Sequence, residues 1–511
     1  MLKAVFFTLL MSISLVTSAA FATAPSCSSV FAQSPFKESN GKPIPEGKDL
    51  VIALKEQKES QKVSRFMMDD FKRQSEAFKK QNKGKVIELD FLCVGAGPQC
   101  AAASLVLGRT NAKSLVVEKT DYVAKTFAEK DFYINSVEAS NISMHDFPGG
   151  FGSMANMTSS VYAHSSQLAA HIQAQQYVSG VPVLLGTRVV SVEKGPGSEL
   201  LITTDNGITI RAKNLLLGTG LGEIGTKVKD VEYQKAFASF HAEATVEAGL
   251  KPIMSTDSFL VAIKQAREQK MGVQLPRDVI LIGNGDGSRI AIEAYSDKNV
   301  KMPRGFKTHW VGNNFKTAQE YIESQGGWDR YLPKIVPQYE KNRIEGVPGY
   351  VEKVEQLANG RFRVTSKDKE GVVRTAEGDM IVDSTGYTSL NAELLRTLLQ
   401  APEMIDVLGP LKELNLTETV LARQYREANG SSVPVYALGP AAGLLAKESE
   451  LTYSPNKNPV AIFNTAARTS QFISMLMGVE PLESKRGARD ERPSVKSAKV
   501  IIAELKKAKI K

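Results

Sequence analysis

Two short stretches carry residues whose types and spacing can do chemistry. In "LCVGAGPQCAAASLVLG" (92–108), Gly95 and Gly97 are followed by Pro98 and then Cys100. In "RDVILIGNGDGSRIAIEAY", Gly283 and Gly285 are followed by Ser288 and Arg289. Each glycine pair comes after an apolar run suited to a buried parallel strand and before a run of helical composition. The chemistry of such a loop is anion binding. The first glycine permits the tight turn, and the second lets a pyrophosphate approach the backbone. The helix that starts there offers N–H groups and the positive end of its dipole. Pro98 suits that first turn because its missing N–H would be unpaired there anyway. The strand "SLVVEK" ends in Glu118 and Lys119, with Glu118 placed 23 residues after Gly95. An acid at that place accepts hydrogen bonds from a ribose. One such loop is weak evidence. Two, with first glycines 188 residues apart, argue for a pair of dinucleotide sites.

The third loop position calls for a small residue, because helix and strand pack tightly there. Cys100 reads first as that packing residue. A reactive thiol is the alternative, since a helix N-terminus lowers a thiol's pKa. The second loop is less regular. Asp286 lies where phosphate oxygens would come, and Arg289 can offset its charge. The next strand, "KTHWVG", ends in Asn313-Asn314, with neither the acid that favours NAD nor the arginine that favours NADP. A working NAD(P)H site and a structural relic are both open readings of it.

The elements around the loops repeat. After the first loop comes "VPVLLGTRVVSVEKGPGSELLITTDNGITIRAKNLLLGTG", an alternating meander that runs into Thr219-Gly220. After the second comes "GRFRVTSKDKEGVVRTAEGDMIVDSTGYTS", ending in Thr385-Gly386. "VPVYALGPAAG" adds a late buried strand, and "NPVAIFNTAARTSQFISMLMG" a helix. Residues 49–81 form an amphipathic helix with Val63, Phe66, Met67, Phe71 and Phe78 near one face. It reads as packed on the following domain, with a lid or membrane-contacting helix as the alternative. The predicted fold class is α/β: two Rossmann-like dinucleotide-binding domains, each with a β-meander.

This order of elements resembles the two-dinucleotide-binding-domain flavoproteins, over about residues 87–480. That superfamily includes the thioredoxin and glutathione reductases, the flavin-containing monooxygenases and the N-hydroxylating monooxygenases. The resemblance implies FAD on the first unit and NAD(P)H on the second, with the second domain inserted into the first. It implies that Gly95, Gly97, Cys100, Glu118 and Lys119 hold the ADP half of FAD, and that Val189 meets the adenine through its backbone. Thr219, Gly220, Thr385 and Gly386 match the turns that lie near the dinucleotides. Gly439 is expected beside the ribityl chain, and a helix starting near Asn458 is expected to point at the flavin ring. Asn135, His145 and Phe147, from an aromatic and Gly-rich stretch that reads as irregular, are candidates for the flavin pocket. The chain lacks the CxxC or C-x4-C pair of the disulfide reductases. Gly439-Pro440 and "DMIVDSTGYTS" are more similar to the monooxygenase branch, although the linker motif of the flavin-containing monooxygenases is absent. No residue pattern assigns an acid, a base or a nucleophile.

Bulk properties narrow the rest. The 511 residues are too many for one core. Three cysteines and five histidines without ligand spacing argue against a disulfide framework or a metal site. Residues 1–22 read as a cleaved signal peptide: one lysine, an apolar run of about 13 residues, and small residues ending in "AFA". No twin arginine precedes the run. Export to a bacterial periplasm or medium is the expectation. Residues 23–86 then carry a linker and the amphipathic helix. The first domain is expected over 87–225 and 377–480, the inserted domain over 226–376, and a basic tail over 481–511. From Ser484 onward, ten Lys/Arg stand against three Asp/Glu, nearly all of the net charge of +9. A solvated tail with a short terminal helix is the first reading of that segment. Peripheral contact with an anionic membrane is the second. Nothing points to nucleic acid, and the oligomeric state is not encoded in any recognisable pattern. The leading functional expectation is an exported FAD-dependent oxidoreductase that takes hydride from NAD(P)H and passes electrons to dioxygen or a small molecule. A flavin oxidase and a non-catalytic dinucleotide-fold binding protein are the alternatives.

Overall fold

The structure, a computed structural model, describes residues 57–130, 132, 146–147, 152–153, 164–195, 197, 199–220, 222–244, 249–269, 272–312, 316–325, 331–388, 403–406, 422–426, 432–439, 462–479 and 498–508. The expected signal segment and linker lie outside these residues, as do Asn135, His145, Asn313, Asn314 and Asn458.

Helix α1 (Gln57–Gln81) leads into strand β1 (Val86–Val94). Helix α2 (Pro98–Leu107), β2 (Ser114–Val117), helix α3 (Ser165–Ser179), β3 (Val183–Leu184) and β4 (Thr209–Leu217) follow. These strands are parallel, with β1 between β2 and β4 and β3 outside β2. β1 reads as a continuous apolar run because both of its faces are covered. Phe91 and Cys93 enter the core on one side of the sheet, and Leu92 enters the core on the other. The meander strand Val189–Lys194 pairs antiparallel with Leu200–Thr204, which in turn pairs antiparallel with the first half of β4. One long strand therefore serves both the meander and the parallel sheet.

The second unit repeats the plan. Its strands are β5 (Ile253–Ser255), β6 (Asp278–Ile282), β7 (Lys307–Gly312), β8 (Ile344–Pro348) and β9 (Met380–Asp383). All are parallel, in the order β5-β9-β6-β7-β8. Helix α4 (Thr256–Glu268) follows β5, and α5 (Asp286–Ala294) follows β6. A separate three-stranded meander, 350–378, precedes β9. The chain then returns to the first sheet, where β10 (Ser432–Leu438) lies beside β4. Counted from each glycine loop, the parallel orders are 3-2-1-4-5 and 3-2-1-4, the doubly wound arrangement. The expected fold class holds. One boundary moves: Met380–Asp383 is a central strand of the inserted unit, so that unit runs past residue 376. The Thr385-Gly386 turn follows the end of β9.

One local expectation changes. "HDFPGGFG" was expected to be irregular, yet Asp146–Phe147 pairs antiparallel with Gly152–Ser153. Gly108 does follow the last residue of α2, but not to reach the left-handed region, since its φ is −67°. A Cβ there would drive into the carbonyl of Ser179 at the end of α3.

Helices α6 (Ile462–Met477) and α7 (Ala498–Ala508) complete the first core. Val63, Met67 and Phe71 of α1, spaced four apart, are buried in it, as the packed-helix reading expects. The Ser75 hydroxyl of α1 accepts the Leu185 N–H at 2.9 Å, tying the helix to the strand edge. The basic C-terminal segment is not simply solvated. Ile501 and Leu505 are buried against α1 and α3, and the Lys506 ammonium lies 5.2 Å from the centre of the Phe66 ring. Residues at i and i+4 share a helix face, and here that apolar face is used inside the molecule. No described helix is long and apolar enough to cross a membrane. Leu505→Ala should therefore lower unfolding stability by about 2–5 kcal/mol, measured by denaturant titration. A loss below ~0.5 kcal/mol, the surface range, would show that α7 is not part of the core.

Candidate functional site

Both glycine loops lie at the carboxyl ends of their parallel sheets, where doubly wound folds bind ligands. In the first, Gly95 has φ +98°, a region that excludes most side chains. A Cβ on Gly95 would also come within 2.7 Å of the Gly218 carbonyl oxygen. Gly97 is the N-cap of α2, and no side chain closes that helix start. A Cβ on Gly97 would meet only the Gly218 oxygen, at 4.0 Å. Gly95 is therefore required by the turn, whereas Gly97 leaves the helix start approachable. The second loop repeats this. Gly283 has φ +117°, with a Cβ 2.8 Å from the Ser384 carbonyl oxygen. Gly285 is an uncapped N-cap with nothing within 4 Å of a Cβ. Two helix starts with approachable backbone are the cradle that a diphosphate needs.

Glu118 turns its carboxylate toward the first loop. Oε2 accepts the Ala96 N–H at 2.7 Å, and Oε1 accepts the N–H and hydroxyl of Thr120, each at 2.9 Å. A carboxylate has about four acceptor positions. Holding the loop thus leaves Glu118 capacity for a ribose hydroxyl. The backbone of Glu118 and Thr120 pairs with Thr187 and Gly186, which brings the start of the Val189 strand to the same corner. Lys119 lies beside Glu118 after β2. Thr219 and Gly220 follow β4 directly, and the Gly218 N–H donates to Val94 O at 3.0 Å. Gly439, with φ +58°, closes β10 against the first turn of α2. A Cβ there would fall within 2.6 Å of the Gln99 side chain. Gly95, Gly97, Cys100, Glu118, Gly218 and Gly439 are thereby brought together.

Cys100 packs. Its side chain is fully buried, with Sγ 3.7 Å from Val94 O. The neighbouring Cys93 thiol and burial together push the Cys100 thiol well above its ordinary pKa, opposite to what a reactive thiolate needs. The residue facing it is Gly218, where a Cβ would collide with Cys100 Sγ. In the second loop Ser288 is fully buried, and the residue corresponding to Gly218 is Ser384. The larger cysteine is thus matched by a glycine across the gap.

At the second loop, Arg289 Nη1 donates to Asp286 Oδ1 at 3.2 Å, so the acid and its offsetting arginine pair on one helix turn. The indole N–H of Trp310 donates to Gly283 O at 2.7 Å and braces the loop from β7. Thr385 was predicted from its turn, but the residue that shapes this turn was missed. Asp383 Oδ1 accepts both the N–H and the hydroxyl of Thr385, at 2.8 and 2.6 Å. The Tyr233 hydroxyl donates to Asp383 Oδ2 at 2.9 Å. Burial raises the Asp383 pKa, against the opposing pull of these donors. The signal was present in "DST", since aspartate two residues before its own acceptor turn is a common local pattern. Gly386 follows with φ +129°. Phe147 lies in the short antiparallel pair, opposite Gly152. Among the described residues no cluster of potential metal ligands occurs.

No family model and no curated protein matches this chain. Several solved structures are similar over most of the chain. Bacillithiol disulfide reductase Bdr from Staphylococcus aureus is 13% identical, covering 77% of this chain and 99% of its own, with a TM-score of 0.49. L-lysine 6-monooxygenase from Pseudomonas syringae is 16% identical, covering 77% of this chain and 100% of its own, with a TM-score of 0.49. Thioredoxin reductase from T. acidophilum is 15% identical, covering 76% and 98%, with a TM-score of 0.45. Likeness at this level carries no site residues, and the site rests on the geometry above.

The Cys100–Gly218 contact gives a direct test. Gly218→Ala should destabilise the protein by about 1–3 kcal/mol through overpacking. Adding Cys100→Ala should recover most of that loss in thermal unfolding. A double variant no more stable than Gly218→Ala would refute the pairing. In the native protein, Cys93 and Cys100 should resist alkylation until the protein is unfolded. Rapid labelling of Cys100 in the folded state would restore the reactive-thiol reading.

Proposed function

We propose that this protein is an FAD-dependent oxidoreductase that takes hydride from NAD(P)H and delivers electrons to dioxygen or a small-molecule substrate. The observation that carries the proposal is the paired cradle. Two helix starts, each opened by a left-handed glycine and an uncapped glycine, lie at the carboxyl ends of two doubly wound sheets in one chain. A chain built to hold one nucleotide has no use for the second.

The residues divide the work. Gly95 and Gly97 let a diphosphate approach α2, while Glu118 orders the loop and accepts from a ribose hydroxyl. Gly439 keeps the end of β10 clear of side-chain bulk beside Gln99. Gly283 and Gly285 do the corresponding work for the nicotinamide dinucleotide, with Thr385 and Gly386 on the neighbouring turn. Flavin, when bound, would supply the two-electron chemistry of hydride transfer. The protein orients it and excludes water. The N-terminal segment supports export through a cleaved signal peptide, to the periplasm or medium, and this belongs to the same proposal.

The purified protein is expected to absorb between about 350 and 500 nm, the bands of oxidised flavin, and to bleach on anaerobic addition of NADPH or NADH. A colourless protein that takes up no FAD on incubation would end this reading. Bleaching by an organic substrate but by neither nicotinamide would favour a flavin oxidase instead. Glu118→Ala should weaken FAD binding by roughly 10- to 100-fold, the worth of hydrogen bonds to a charged group, measured by fluorescence titration.

A further inference from the structure

Among the described residues the two units share no hydrophobic core. Two apolar clusters lie within the first unit and two within the second, and none contains residues of both. The chain passes between the units at two places, after β4 and after β9. There, Glu223–Ile224 pairs antiparallel with Tyr387–Thr388 as a two-stranded ribbon. Units joined in this way are expected to move relative to each other unless something else holds them.

What spans the joint is polar and buried. Lys130 follows the short helix Lys125–Glu129 of the first unit. Its carbonyl accepts from the Ser165 hydroxyl at 2.6 Å, which seats it on the start of α3. Its ammonium lies 2.5 Å from Asp257 Oδ2, in the first turn of α4 of the second unit. The Tyr387 hydroxyl, on the ribbon, donates to the same carboxylate oxygen at 2.9 Å. Lys130 also donates to the Tyr387 hydroxyl at 3.4 Å and lies 5.9 Å from the centre of its ring. The Lys130 and Asp257 side chains are only 10% and 14% exposed. A second tie runs parallel to this one: Lys264 of α4 donates to the Ala128 carbonyl at 2.6 Å. Burial disfavours the charge on Lys130, but the Asp257 carboxylate outweighs it and holds the lysine above its ordinary pKa.

We infer that Lys130, Asp257 and Tyr387 are positioning residues, a polar latch that fixes the inserted unit on the first and holds the two glycine loops in one relative orientation. The reason is an asymmetry of burial. A buried ion pair adds little net stability when made, but separating it leaves an uncompensated buried charge, which is strongly disfavoured. Any rotation of one unit on the other must break the pair. Three different chain segments meet in the latch, one on each side of the joint and one on the ribbon. The latch therefore registers both units and the connection between them. Asp257 also sits one residue after Thr256, whose hydroxyl bonds the Ser384 hydroxyl beside the Gly283 loop. The latch is thus tied to the loop whose orientation it sets. That this orientation serves electron transfer rests on the function proposed above, but the latch itself does not.

The test is run on the full chain without added nucleotide, so failure of the latch and failure of the functional reading are separate results. Val190 and Val372, one on each unit and 51% and 48% exposed, are replaced by cysteine and spin-labelled in a Cys27→Ser background. Cys93 and Cys100 are buried. Pulsed dipolar spectroscopy should give one narrow distance distribution. In Lys130→Met and in Asp257→Asn the width should roughly double, with far-UV circular dichroism unchanged. Tyr387→Phe, which keeps the ion pair, should broaden it less. Unchanged width in folded Lys130→Met and Asp257→Asn would overturn the latch. Should Lys130→Met fail to fold, the near-isosteric Asp257→Asn decides alone.

Discussion

The candidate site depends on how closely the chain leaving β4 passes the turn that leaves β1. The Gly218 carbonyl presses on Gly95, and the Gly218 α-carbon faces Cys100 Sγ with no room for a methyl group. This approach packs α2 against the sheet, points the start of the helix at the crevice and places Thr219-Gly220 beside it. Close-packed interiors transmit such constraints, because a displaced atom has no void to enter. In the inserted unit the same crossing is made by Ser384 over Gly283, and the third loop position is the buried Ser288. Two solutions to one packing problem explain why the third position of the glycine pattern is irregular in both loops.

Polar side chains then organise what the close approach leaves exposed. Glu118 and Asp383 occupy different places, yet both use a carboxylate to hold a turn through backbone N–H groups. Glu118 orders the loop that a phosphate would meet, and Asp383 orders the turn that follows β9. These turns are therefore preorganised by the protein's own hydrogen bonds. Preorganisation lowers the cost of binding because the backbone need not be ordered by the ligand.

Joining the two units raises a different problem. Each has a core of its own, and among the described residues the contact between them includes charge, phenol and carbonyl groups. An apolar interface would slide at small cost over short distances, whereas a buried ion pair is directional and fails all at once. The basic C-terminal segment illustrates a related point. Its lysines suggest solvent or a charged surface, but Ile501 and Leu505, spaced by four, commit the helix to α1 and α3. Charge and burial coexist on one helix because the long lysine stems reach outward from an apolar face.

The order of elements was legible in the sequence because it depends on local signals: apolar runs, glycine pairs, alternation in the meanders, and Thr-Gly turns. The glycine loops and Glu118 follow from those signals, whereas the insertion of one unit into the other was implied only by the family resemblance. Four things were settled only by tertiary structure. Gly108 is needed for clearance from Ser179, Gly218 for clearance from Cys100, and Gly439 for clearance from Gln99. Residues 380–383 belong to the second sheet because their ladder partners are β5 and β6. These depend on which backbone segments pass one another, over separations of 71, 118 and 340 residues for the three glycines. No window of sequence contains both partners. The latch is the extreme case, since Lys130, Asp257 and Tyr387 have no shared pattern in the chain. The sequence determined what each unit is made of, and the tertiary structure alone decided how the two are held, because a buried charge acquires meaning only from the opposite charge beside it.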